Sequence, residues 1–86
     1  MYECDWPHGV LDELAVIYVS ATGPERDRMA SGIEALNSRL TRDPFDIGES
    51  RSGGDRLAFI PLLMVRFDVN KTARRIVVTG VARYGA

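Results

Sequence analysis

The sequence predicts an α+β domain, a helical hairpin laid on one face of a sheet, and three features carry that expectation. Residues 2–6 alternate apolar and acidic side chains, the period of a half-buried strand. Two runs of helical period follow, parted by Thr22-Gly23-Pro24. Beyond residue 55 come period-two runs joined by short turns, which predict a three-stranded antiparallel meander after the N-terminal strand and the hairpin.

In order, Tyr2, Cys4 and Trp6 share one face of the first strand, and Pro7, lacking a ladder donor, closes it. From residue 10 to about 21, Val10, Leu14, Ile17, Tyr18 and Ala21 recur at helical spacing. Asp12 and Glu13 turn to solvent near the N-terminal end, where acids suit the helix dipole. The β-branched and aromatic stretch 16–19 leaves a strand as the alternative for that part. Pro24 suits the first turn of a second helix, and Met29, Ile33, Leu36 and Leu40 form its apolar stripe. Gly32 costs about 1 kcal/mol there relative to Ala, which points to a close approach between the two helices. Pro44 ends this helix near Arg42-Asp43, because the residue before a proline is driven out of the α region. Residues 45–55 read as a loop. A strand over 57–60 is interrupted by Pro61. Next, Leu63, Val65, Phe67 and Val69 oppose Arg66 and Asp68, and Asn70-Lys71-Thr72 supplies a turn. In the last strand Ile76, Val78, Gly80 and Ala82 take one face, and Arg75, Val77, Thr79, Val81 and Arg83 the other.

Length and composition bound the function. The 86 residues fit one domain, residues 1–86, with 45% hydrophobic and 27% charged side chains, as in ordinary soluble globular domains. A chain of this size buries only roughly 60–65% of its unfolded surface, so help from a partner or a dimer interface is expected. No apolar run approaches the ~20 residues that span a bilayer. The start Met1-Tyr2-Glu3-Cys4-Asp5 is acidic and lacks an apolar stretch, so no signal peptide is expected, and Cys4 alone makes no internal disulfide. A cytoplasmic protein without a membrane partner is expected. Net charge is −1, but residues 1–50 carry four basic and ten acidic side chains, whereas residues 51–86 carry seven basic and two acidic ones. Such asymmetry points the C-terminal part at an anionic partner, unless the halves neutralise each other in space.

Chemistry narrows by elimination. One His (His8) and one Cys (Cys4) make neither a zinc site nor a Ser–His or Cys–His nucleophile, so no metal and no cofactor are expected. Gly53-Gly54 lacks the Lys-Ser/Thr of a phosphate-binding loop and reads as a turn. What remains is arginine: Arg51, Arg56, Arg66, Arg74, Arg75 and Arg83 lie on or beside the expected sheet, with Tyr84 at its end. Alternation puts Arg75 and Arg83 on one face, and Arg66 joins them if the helices cover the Leu63/Val65/Phe67 face. Guanidinium groups clustered on an open sheet face fit phosphate oxygens; a solvated face that takes its charge from Arg is the alternative.

At Leu11-Asp12-Glu13-Leu14-Ala15, at Ile33-x-x-Leu36-x-x-x-Leu40 running into Asp43-Pro44, and at Gly48-Glu49-Ser50-Arg51 followed by a Gly pair and Arg56-Leu57, the chain resembles the RelE/ParE-like toxins of type II toxin–antitoxin systems. Pro61-Leu62, Val65-x-Phe67-x-Val69, Arg75-Ile76-Val77-Val78 and Arg83 extend the resemblance over nearly the whole chain, and it is nearest to the plasmid stabilisation members. The resemblance implies a toxin whose sheet groove takes an acidic helical antitoxin segment. RelE-like members are metal-free endoribonucleases that cut mRNA on the ribosome, with basic side chains polarising the phosphate while the 2′-hydroxyl attacks. ParE-like members poison DNA gyrase instead. Carried over, the catalytic residues are Arg83, Arg66 and Tyr84, and the nucleic-acid-binding ones are Arg51, Arg56 and Arg75. A departure stands at Leu62-Leu63-Met64, where such ribonucleases carry an arginine. Apolar Met64, Val77 and Val81 on the exposed face favour peptide docking, hence the alternative of a gyrase-directed toxin or a non-toxic relic that only binds its antitoxin.

Overall fold

The computed structural model describes residues 1–50 and 55–85, with Glu49 and Ser50 as backbone alone. Strand β1 (Glu3–Asp5) leads into helices α1 (His8–Val19) and α2 (Gly23–Arg42) and a single 3-10 turn at Pro44–Asp46. Strands β2 (Glu49–Ser50), β3 (Asp55–Ile60), β4 (Leu63–Asn70) and β5 (Arg75–Arg83) follow. The fold is α+β, and its one sheet has the order β1-β5-β4-β3-β2. Neighbours from β2 to β5 are antiparallel, but β1 lies parallel to β5, with Cys4 beside Ile76. The sheet is therefore mixed rather than a pure meander. The reason is the route of the chain: after β1 it spends both helices before returning, and it re-enters beside β1 only with its last strand.

Local chemistry accounts for the helix ends. Thr22 Oγ1 accepts from the Glu25 N–H at 3.2 Å, and Glu25 Oε1 accepts from the Thr22 N–H at 2.9 Å, a reciprocal cap that starts α2. Helix α1 starts without a side-chain cap after Pro7, two residues earlier than its apolar pattern suggests. Its C-terminal carbonyls are held from the other helix, because Arg26 Nε donates to the Tyr18 carbonyl at 2.7 Å. The stretch 16–19 is helical through Val19, since packing of Leu14, Ile17 and Tyr18 against the core outweighs the β preference of its valines.

Met29, Leu36 and Leu40 of α2 meet Leu63, Val65 and Phe67 of β4 and Ile76 and Val78 of β5 in the core, with Phe67, Leu63 and Met29 fully enclosed. A Cβ on Gly32 would stand 3.0 Å from Pro61 Cδ and 3.3 Å from Ile60 Cβ. The glycine thus lets α2 approach the β3–β4 turn; the close approach expected between the helices is not where it acts. That turn needs only Pro61 and Leu62, with Leu62 at φ 68°. The β4–β5 turn is held by Asn70 Oδ1, which accepts from the Ala73 N–H at 2.9 Å. Just past β1, Trp6 Nε1 donates to Asn37 Oδ1 at 2.9 Å, tying the end of the strand to α2. Burial, then the Asp5 charge, pushes the nearby Cys4 thiol pKa up, so this thiol stays protonated and unreactive.

One irregularity decides the site. Arg66 pairs with Gly80 and Phe67 with Val78, so Thr79 has no counterpart on β4 and bulges out of β5. Before the bulge Ile76 and Val78 face the helices; after it Val81 and Arg83 do, paired with buried Val65 and Leu63. The expectation that Arg75 and Arg83 share a face fails here, because one extra residue inverts the alternation. Val81, expected on the open face, is a core residue for the same reason.

Candidate functional site

The face of the sheet turned away from α2 can be read in rows across the strands. The first row is Phe59, Met64 and Ala82, the second Leu57, Arg66 and Gly80, and the third Asp55, Asp68, Val77 and Asp5. At the apolar end, Tyr84 sets its ring 4.8 Å from that of Phe59, and the two are 54% and 46% exposed. Beside them a cleft of about 240 Å³ is floored by Met64, Arg66 and residues 79–82. Its side wall is Glu13, because α1 flanks β5 where β1 has stopped at Val77. Space above Gly80 is open, and a Cβ there would meet nothing within 4 Å. Neither Glu13 nor Arg66 has a hydrogen bond or ion pair among the described residues, although Arg66 feels the charge of Asp68, so the cleft offers one carboxylate and one guanidinium to a ligand.

The other arginines have structural partners. Arg83, on the helix side of β5, pairs with Glu25 Oε2 at 2.6 Å. The same carboxylate caps α2, and the Thr22 N–H first and Arg83 second hold its pKa below the usual range. Arg75 shares the open face with Arg66, but Asp5 Oδ2 takes both its Nε, at 2.9 Å, and its Nη2, at 2.6 Å. Arg56 pairs with Phe67 and so lies on the helix side, where it donates to the carbonyls of Phe45 and Ile47 at 3.1 Å and fastens the segment before β2. Arg51 lies outside the described residues. Of the expected catalytic trio, Arg66 and Tyr84 come to the same open face and Arg83 does not.

Acidic groups hold the far end of this face. Asp55 and Asp68 stand directly opposite each other, and their shared hydrogen bond, with burial and mutual repulsion behind it, raises the Asp68 pKa. Among the described residues the open face pairs Arg66 and Arg75 with Glu3, Asp5, Asp55 and Asp68, so it is not the guanidinium cluster that strand alternation suggests. Among the described residues no three His, Cys, Asp or Glu side chains converge as metal ligands, and no helix is long and apolar enough to cross a membrane.

Sequence reasoning missed Glu13, Phe59 and the bulge. Gly80 inside a strand pattern was the available signal for the last of these. Phe59 alternates with Leu57 and could have been placed on the open face. Glu13 could not, since its position depends on how α1 packs. The site and fold together define an α+β domain with an open, partly apolar sheet face. No family model matches the chain, and no match to it is found among the curated proteins or the solved structures.

Proposed function

We propose that this chain is the toxin-type component of a RelE/ParE-like toxin–antitoxin pair, and that it works by docking proteins on the open sheet face rather than by cutting RNA. The observation that carries the docking reading is the apolar strip beside Arg66, in which exposed Phe59 and Tyr84 adjoin half-buried Met64 and Ala82. Contiguous apolar surface of this kind marks interaction sites. A helical antitoxin segment would lay its apolar residues on the strip and an acidic side chain on Arg66. The placement of Arg83 weighs against cleavage: a metal-free ribonuclease needs positioned cations around one phosphate, and loss of one such donor costs about 10²–10³ in rate. Arg83 and Arg66 lie on opposite faces.

One observation favours the ribonuclease reading, which is kept as the second. Phe59 and Tyr84 offer rings on which unpaired bases could stack, with Arg66 in the next row for a phosphate. Induction in a bacterial host, with mRNA ends mapped by primer extension, separates the two. Growth arrest without new mRNA ends, relieved by Met64→Asp, is the expected result. New ends within translated codons that vanish with Arg66→Ala would establish cleavage instead. Soluble protein that leaves growth untouched removes the toxin reading and leaves only a domain that binds its antitoxin.

A further inference from the structure

We propose that the outer face of the helical hairpin binds a second copy of this chain, in an antiparallel two-fold contact centred on Ala30. The first reason is α1 itself. An amphipathic helix buries its apolar stripe, yet on the side of α1 that faces this seam Leu11 is 45% exposed, and Ala15 beside it and Ala30 across on α2 are exposed too. Between α1 and α2 runs an open groove of about 450 Å³, walled by Leu11, Leu14, Ala15, Tyr18, Ala30 and Ile33. Residues this apolar need a cover.

Charge identifies the cover as the same surface. Arg26 and Glu34 stand on the Ala30 ridge of α2, four residues to either side, about 6 Å along the axis in each direction. A two-fold contact requires a patch complementary to itself when reversed. Two α2 helices crossing antiparallel at Ala30 meet that requirement, since Arg26 of each copy faces Glu34 of the other. Glu34 has no hydrogen bond or ion pair among the described residues. Arg26 is fixed at the rim by its bonds to the carbonyls of Tyr18 and Val19. Small Ala15 and Ala30 leave room for the helices to approach, and Leu11 and Tyr18 close over the groove from α1. This surface is separate from the open sheet face and does not depend on the toxin reading.

Sedimentation and light scattering on the purified full chain test it. The wild type is expected to be a concentration-dependent dimer. Ala30→Arg is expected to be monomeric, and Ser31→Arg, on the solvent side of α2 away from the groove, to remain dimeric. Glu34→Arg replaces two symmetric ion pairs by two like-charge contacts and should weaken association about tenfold or more. The double variant Arg26→Glu/Glu34→Arg should recover it. Circular dichroism confirms that each variant is folded, and Glu34→Arg carries the test if Ala30→Arg does not fold. A monomeric wild type, or a dimer indifferent to the groove substitutions, overturns the proposal.

Discussion

Val77→Ala and Val81→Ala form a matched pair, because the two valines sit four residues apart on one strand. Regular alternation would put them on one face and give them one cost. The bulge at Thr79 separates them: Val81 is 7% exposed and packs in the core, whereas Val77 is half-buried on the open face between Asp68 and Asp5. Both substitutions lose the same strand preference, at most about 1 kcal/mol. Val81→Ala also removes two methyl groups from the core, about 1.6 kcal/mol at about 0.8 each. A void that relaxes only in part brings its full cost to about 2–3 kcal/mol. In a domain of 86 residues this lowers Tm by roughly 8–24 °C. Val77→Ala should cost less than half as much. Urea unfolding followed by circular dichroism reads the difference directly. Equal costs within about 0.3 kcal/mol, or a larger cost at Val77, would refute the bulge and with it the placement of Arg83 on the helix side.

Two further outcomes are expected. Gly32→Ala gains about 1 kcal/mol in helix propensity, but its Cβ meets Pro61 Cδ at 3.0 Å in a two-residue turn that cannot swing aside. Overpacking of about 1–3 kcal/mol wins, so the variant should be less stable by up to about 2 kcal/mol, and a more stable variant in urea would contradict the packing. Asp68 has a raised pKa, so its protonated form is the one the fold favours; that contribution is present at low pH and is lost as pH rises through the folded-state value. Asp68→Asn keeps a donor toward Asp55 without the charge, and its Tm advantage over wild type should grow from pH 4 to pH 7.

Much of the fold was legible because periodicity is a local property. The 3.6-residue stripe Met29–Ile33–Leu36–Leu40, the Pro44 stop and the alternation Leu63–Val65–Phe67–Val69 each follow from one element meeting one core, and the α+β class follows from their order. Less was legible at the candidate site. Arg66 was placed on the open face by parity, and Phe59 was available by the same rule; Tyr84 reaches that face only through the bulge, because unbroken alternation sets it with Ile76 and Val78. Periodicity alone located both helices and the strands β1, β3, β4 and β5, but not β2, which falls in the segment read as a loop, and it named the residues able to carry charge to a ligand. Which of those charges are paired follows from packing between elements. One unpaired residue at Thr79 reverses every side chain beyond it, and whether an arginine meets Asp5, Glu25, a backbone carbonyl or solvent depends on what packs beside it. Side-chain parity is set by the strand alone, but register and ion pairing are set between elements far apart in the chain, where no local pattern reaches.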